Sequence, residues 1–352
     1  MKKQKYHIVG VMSGTSLDGI DLAEIVFTYS EAKWKFEILA AETVPYSSFW
    51  KDELREAINY SEEKLERLDF KYTEKLSEEI SKFIRKYNIL EIDTICSHGH
   101  TILHRPEKGL TYQIGNLPRI SKMLGQTVVC DFRVQDVELG GQGAPLVPIG
   151  DRLLFPEYDY CLNLGGFANC SFEKNGERIA FDICPVNIVL NNYAEKLGQD
   201  FDEDGKLAAS GKVNEELLQK LNSLSFYAEE PPKSLGLEWV KAQIFPLLDA
   251  SGISSEAILR TFTEHIALQL ANQFSDNASV LITGGGAYNS FLIERLKNCA
   301  PVEVIIPSPE IVEYKEALIF GLLGVLKLRD EVNCLASVTG ALEDHSSGKI
   351  YY

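Results

Sequence analysis

Gly10-Val11-Met12-Ser13-Gly14-Thr15-Ser16-Leu17-Asp18-Gly19-Ile20-Asp21 is the stretch on which the fold turns. Tyr6 to Met12 is rich in β-formers, Ser13 to Gly19 supplies a turn, and Ile20 to Tyr29 resumes a strand pattern. Glycines let backbone N–H groups approach an anion closely, and neighbouring hydroxyls add donors. No Lys-Ser/Thr pair follows, so the turn is not a Walker A loop, and it lacks the GxGxxG of a dinucleotide site. Trp34 to Pro45 gives a third strand. The spacing then predicts helix from about Ser48 to Lys86 and short strands over Ile92–Ser97 and Thr127–Cys130.

The pattern restarts at Tyr158. Tyr158–Leu164 is a strand, Gly165-Gly166 a turn and Phe167–Lys174 a strand; the hairpin signal Asn175-Gly176 leads into Glu177–Asp182. Helical segments follow at about Asn187–Leu197, Asn214–Asn222, Glu238–Leu248 and Ser255–Asn277. A strand at Ser279–Ile282 runs into Gly284-Gly285-Gly286, with helices at about Asn289–Lys297 and Lys315–Leu328. The chain therefore carries two copies of strand, glycine turn, strand, strand, each followed by helices, and a third glycine turn. One such turn alone is as readily a plain hairpin; three, two of them at equivalent places, point to phosphate binding.

The 352 residues include 35 basic and 51 acidic ones, a formal net charge of -16. That balance, without any Lys/Arg cluster, argues against a nucleic-acid partner. Phosphates would have to be held by backbone N–H groups and a divalent cation. The longest apolar run, Ala317–Leu326, is too short to span a membrane and ends at Lys327. The basic start is not followed by a signal-peptide core. Seven scattered cysteines with no CxxC pair suit a reduced, cytoplasmic protein.

Gly10 to Asp21 resembles the opening signature of the anhydro-N-acetylmuramic acid kinase family. Further matches are His98-Gly99 with Thr101 and His104, Asp131-Phe132-Arg133, Leu139 to Pro148, Asn163-Leu164-Gly165-Gly166, Pro231-Pro232-Lys233-Ser234, Gly284-Gly285-Gly286, Lys315-Glu316-Ala317 and Ser337 to Ala341. The resemblance implies an α/β fold of two RNase H-like lobes of the actin, Hsp70 and sugar-kinase type, with mixed sheets and ATP in an interlobe cleft. Residues 1–130 with a tail from about 330 to 352 would form one lobe and 131–330 the other. It implies phosphorylation of 1,6-anhydro-N-acetylmuramic acid at O6 with hydrolytic opening of the anhydro bridge. ATP and Mg²⁺ would be required, and a homodimer is implied.

Residue by residue, the resemblance makes Asp182 the general base, with Arg133 and Glu316 at the sugar and phosphate site. It assigns ATP to Gly14, Thr15, Ser16, Leu17, Asp18, Gly19, Ile20, Asp21, Gly165, Gly166, Asn169, Gly284, Gly285, Gly286 and Asn289. His98, Gln142 and Asn187 would meet the sugar, and Asp18 a metal-bound water. Where the family reads Asp-Thr-Gly-Pro-Gly-Asn, this chain has Asp182-Ile183-Cys184-Pro185-Val186-Asn187, so a related sugar kinase with another substrate stands as the alternative. A non-catalytic, ATP-gated protein of the actin or Hsp70 kind is a weaker one. His98, His100 and His104 could share a strand face as metal ligands, but contact with substrate is the preferred reading. Asp200 to Gly205 imitates a calcium loop, and Gly211 stands where the bidentate Glu is needed.

Overall fold

The computed structural model describes residues 2–14 and 16–352. Thr15, assigned to the first glycine turn, lies outside the described residues. The chain divides into two compact units, 1–155 with 314–352, and 156–313.

The first unit is built on β1 (Lys5–Ser13), β2 (Gly19–Ser30), β3 (Lys33–Pro45), β4 (Thr94–Arg105), β5 (Leu110–Ile114) and β6 (Val128–Cys130). Their order is β6-β4-β1-β2-β3, with β5 on β4 and the C-terminal strand Lys349–Tyr351 antiparallel to β6. β1 to β3 form an antiparallel meander, and β4 and β6 run parallel to β1.

The expected long helix is two. Ser47 caps Ser48–Glu56 by accepting from the Trp50 N–H, and Ser61 opens Glu62–Lys86 with Glu62 and Glu63 in its first turn. The longer helix buries Leu65, Leu68, Tyr72, Leu76, Ile80 and Phe83, a stripe at helical spacing, with Val9, Val11, Ile20 and Leu22 of the sheet.

Alternate residues of the strands serve the opposite face, where the helix Pro309–Leu328 lies. A Cβ on its Gly321 would meet Ile8, Ile25 and Phe27, and one on Gly324 would meet Cys96 and Val129. Gly10 faces the Ala317 carbonyl so closely that no Cβ fits. These approaches explain a correction to the expected boundaries. The division falls at 155/156 and 313/314 rather than near 130 and 330. The helix packs on the first sheet from Ala317 onward, and Phe155 sits edge-on to Phe36 of β3, with centroids 5.6 Å apart.

The second unit has β7 (Tyr160–Leu164), β8 (Phe167–Lys174), β9 (Glu177–Pro185), β10 (Ser279–Thr283) and β11 (Glu303–Ile305), in the order β11-β10-β7-β8-β9. β7 to β9 are an antiparallel meander, and β10 and β11 run parallel to β7. Order and strand sense repeat those of β6-β4-β1-β2-β3, so the internal duplication expected from sequence is a duplication of topology. Asn175 and Gly176, at φ 54° and 84°, make the hairpin turn their identities predict. The helix Ser255–Ala271 fills this core with Ile258, Phe262, Ile266 and Leu270.

Candidate active site

In the first unit the candidate residues gather where β1 and β4 meet. The β1–β4 register slips between Val11↔Ser97 and Ser13↔His100, with Gly99 at φ 73°. The slip overturns the expectation that His98 and His100 share a face. His98 turns toward Phe320 of the helix Pro309–Leu328, with ring centroids 4.5 Å apart. His100 turns the other way, toward Tyr46 and Tyr72. The ring nitrogens are also engaged separately.

The His98 Nδ1–H donates to the Gly99 carbonyl at 2.9 Å. Its Nε2 then accepts from Arg133 Nε at 3.0 Å and from Gln113 Nε2 at 2.9 Å. Burial, then the Arg133 charge, hold the imidazole pKa well below its ordinary value, so it is neutral. Arg133 Nη1 donates to the Gly143 carbonyl at 2.7 Å. Among the described residues no acceptor is bonded to Nη2. Burial lowers the guanidinium pKa to about 10, opposed by Glu316, so it is cationic at neutral pH. Desolvation raises the Glu316 carboxyl and Arg133 counteracts it, although the side chain still reaches solvent. Lys315 beside it is buried in an ion pair with Asp151 at 2.8 Å. Gln142 is exposed, its backbone N–H bonded to the Thr339 carbonyl at 2.8 Å.

The first glycine turn is closed by the Leu17 N–H on the Gly14 carbonyl at 3.3 Å, with Leu17 at φ 61°. Gly14 is half-buried, and Ser16 and Asp18 are exposed. Gly19 lies against the Val44 carbonyl of β3, Ile20 is core, and Asp21 accepts from Thr43 Oγ1 at 2.7 Å. Behind the turn runs a buried chain that sequence reasoning missed. Tyr72 OH meets Tyr46 OH at 2.5 Å, Tyr46 OH meets Ser13 Oγ at 2.6 Å, and Ser13 Oγ meets His100 Nδ1 at 2.8 Å. Burial lowers the His100 pKa to about 4 and pushes Tyr46 up to about 12.

In the second unit Thr283, Asn163, Asn169 and Asp182 are register partners across β10, β7, β8 and β9, forming one polar row. The β8–β9 slip at Ala168/Asn169 brings Asn169 opposite Asp182. The Asp182 Oδ2 accepts from the Leu235 N–H at 2.8 Å, and its own N–H donates to the Lys233 carbonyl at 3.1 Å. Pro231-Pro232-Lys233-Ser234 therefore leads into a clamp on this carboxylate, a role the motif alone did not reveal. Desolvation raises the Asp182 pKa and the Leu235 N–H partly offsets it. Among the described residues no donor is bonded to Oδ1. Ile183, Cys184 and Val186, the departures from the family pattern, are all buried in the core of this unit. Burial pushes the Cys184 thiol up, which keeps it protonated.

The other two glycine turns meet over the end of β7. The Gly165 N–H closes the hairpin on the Phe167 carbonyl at 3.2 Å, and the Gly166 carbonyl accepts from the Val186 N–H at 2.8 Å. Gly284, at φ 81°, leaves no room for a Cβ beside Asn163 and Leu164. Asn187 Nδ2 donates to the Leu164 carbonyl at 3.3 Å, and Gly285 and Gly286 flank the same amide. Asn289 caps the helix Ser290–Cys299 by accepting from the Leu292 N–H at 2.9 Å. Asp202, in the loop that imitates a calcium site, accepts from the Leu207 and Ala208 N–H groups.

A partly desolvated carboxylate, a cationic arginine braced by a neutral histidine, and glycine turns suited to phosphate oxygens are the equipment of a phosphotransferase. Comparison with known proteins makes the class specific. The family model described as anhydro-N-acetylmuramic acid kinase matches residues 6–352. A protein named anhydro-N-acetylmuramic acid kinase from Mannheimia succiniciproducens is 34% identical over 380 residues, covering 100% of each chain. One of the same name from Pseudomonas syringae is 32% identical over 368 residues, covering 98% of this chain and 99% of its own. Among solved structures, component A of (R)-2-hydroxyglutaryl-CoA dehydratase from Acidaminococcus fermentans aligns at 14% identity with a TM-score of 0.48, over 92% of this chain and 99% of its own. This chain belongs to the anhydro-N-acetylmuramic acid kinase family. No helix among the described residues is long and apolar enough to cross a membrane.

Proposed function

We propose that the enzyme transfers the γ-phosphoryl group of ATP to O6 of 1,6-anhydro-N-acetylmuramic acid while water opens the anhydro bridge. The products are N-acetylmuramic acid 6-phosphate and ADP, a cytoplasmic step of cell-wall recycling carried out by a homodimer. Asp182 takes a proton from water as its oxygen bonds to the anomeric carbon. The bond between that carbon and O6 breaks, O6 bonds to phosphorus, and the bond from phosphorus to the ADP oxygen breaks. The observation that carries this reading is the state of Asp182. Its Oδ2 is clamped by the Leu235 N–H, its Oδ1 has no donor among the described residues, and desolvation raises its basicity.

Arg133, cationic and braced by His98, suits the charge that develops on the transferring group. The turns Gly14–Gly19, Gly165-Gly166 and Gly284-Gly285-Gly286 suit ATP. Exposed Asp18, a hard oxygen donor on the first of them, suits Mg²⁺ held through water and phosphate oxygens. The cation would neutralise phosphate charge. Because Ile183, Cys184 and Val186 are core residues, their identities favour retention of the anhydro-sugar substrate over a switch to another sugar.

Asp182→Asn tests the assignment. Phosphorylation and ring opening should fall together by about 10²–10⁴-fold, with nucleotide binding retained. ADP release should depend strictly on the anhydro sugar, and isotopically labelled water should place its oxygen at the anomeric carbon. ADP release with a plain hexose alone, or no label there, would overturn the hydrolytic half.

A further inference from the structure

We infer that the first unit carries a structural zinc site made by Asp136, Cys334 and His345, separate from the catalytic residues. Asp136 lies on the short helix Val134–Glu138, and Cys334 and His345 face each other across an antiparallel bridge in the C-terminal segment. One ligand atom from each lies within 4.8 Å of the other two, and all three residues are buried.

The spacing suits a tetrahedral ion. Cys334 Sγ is 3.0 Å and His345 Nε2 3.6 Å from Asp136 Oδ1. Zinc–ligand bonds of ordinary length at tetrahedral angles put sulfur–oxygen and nitrogen–oxygen edges at ~3.4–3.6 Å. The sulfur–oxygen edge would open by a few tenths of an ångström, and water would be the fourth ligand.

The imidazole supplies the independent indication. Its Nδ1–H donates to the Glu343 carbonyl at 3.0 Å, which leaves the lone pair on Nε2. Among the described residues that buried Nε2 has no hydrogen-bond partner, yet it faces a carboxylate oxygen. A cation between the imidazole nitrogen and the carboxylate oxygen would satisfy both atoms in this buried place. A ring oriented by a backbone carbonyl is also how metal-bound histidines are held. The carboxylate is fixed in the same manner: Oδ1 accepts from Thr339 Oγ1 at 2.7 Å and Oδ2 from the Gly143 N–H at 2.6 Å. One sulfur, one imidazole and one carboxylate form a donor set suited to Zn²⁺ rather than Mg²⁺. Cys334 donates its S–H to Asp136 Oδ1, and zinc binding would release that proton as the thiolate–zinc bond forms.

The ion would pin the C-terminal segment to the helix Val134–Glu138. The same Gly143 that donates to Asp136 accepts from Arg133, so the site braces the loop behind the arginine.

The full-length protein, stripped with a chelator, is titrated with Zn²⁺ and separately with Co²⁺. One equivalent should bind with release of a proton and a rise in Tm, and Co²⁺ should show a thiolate charge-transfer band. Cys334→Ser and His345→Gln should each weaken binding by at least about 100-fold and abolish the rise in Tm. Failure of the wild-type protein to bind one equivalent, a cobalt spectrum without the thiolate band, or undiminished affinity in both variants would overturn the site. Should the variants not fold, X-ray absorption of the zinc-loaded wild-type protein decides: one sulfur neighbour supports the site, none refutes it.

Discussion

Arg133 hangs from His98: its Nε–H donates to the imidazole Nε2 over 3.0 Å, and the His98 Nδ1–H is in turn bonded to the Gly99 carbonyl. A protonated imidazole could not accept that bond, so the low His98 pKa is a condition for placing the guanidinium. If Arg133 acts on the transferring phosphoryl group, as proposed, His98 would be a positioning residue. His98→Ala should lower kcat by about 10²-fold, the scale of an ångström-sized misplacement, with a much smaller change in KM. Arg133→Lys should not recover activity, because an ammonium cannot reach His98 and Gly143 at once while presenting a fork to phosphate. Steady-state kinetics of the two variants checks both outcomes. Loss confined to KM would remove the positioning role.

As the proposed general base, Asp182 must be ionised to take a proton, and desolvation raises its pKa above the ordinary aspartate value. Activity should therefore be lost as pH falls through a point higher than an exposed aspartate would give, visible as the acid limb of kcat/KM. The same raised pKa means that the folded state pays a desolvation cost for the charge at neutral pH. Asp182→Asn should consequently be inactive yet at least as stable as the wild type at pH 7 in urea unfolding. An inactive but markedly destabilised variant would point to a structural carboxylate instead.

The duplicated meander was legible because each copy announces itself locally, by β-formers broken by glycine and, in the second, by Asn175-Gly176. Strand order repeats between the two sheets. What escaped were features set by tertiary contact. β4 runs on to Arg105 and pairs with β5, beyond the Ile92–Ser97 strand that its apolar residues mark. The helix Pro309–Leu328 begins well before its apolar stretch because Pro309 starts it among polar residues. The motifs named candidate residues, but not the relations between them. The β1–β4 slip that parts His98 from His100, and the Leu235 clamp on Asp182, join segments far apart in sequence. Asn163 belongs to the polar row of Asp182 only through register across three strands.

Gly10 tests the packing that ties the helix Pro309–Leu328 to the first sheet. A methyl group there would meet the Ala317 carbonyl and the end of Ile25, and a backbone carbonyl cannot step aside as a side chain can. Gly10→Ala should cost about 1–3 kcal/mol, as overpacking does. It should also lower activity if Glu316, which precedes the contacted residue, serves the site as proposed. Denaturant midpoints check the first and kinetics the second. Ala at Gly109, where nothing lies within 4 Å, tests positive φ without crowding and should leave kinetics unchanged.

His100 predicts how stability responds to acid. Its pKa is about 4 in the folded protein because burial disfavours the charged ring, against an ordinary 6.5. The unfolded chain thus binds a proton first as pH falls. The neutral ring's contribution is fully present above pH 6.5 and is lost progressively down to about pH 4. Across that window the loss amounts to about 3 kcal/mol at 1.36 kcal/mol per unit. A protonated ring can only donate to Ser13 Oγ, the last link of the Tyr72–Tyr46–Ser13 chain behind the first glycine turn. His100→Gln keeps a hydrogen-bonding group without the titration, so its urea midpoint should fall less steeply between pH 6.5 and 4. His98 and His265 still contribute a slope, since burial lowers both pKa values. An unchanged slope in the variant would place the acid sensitivity elsewhere.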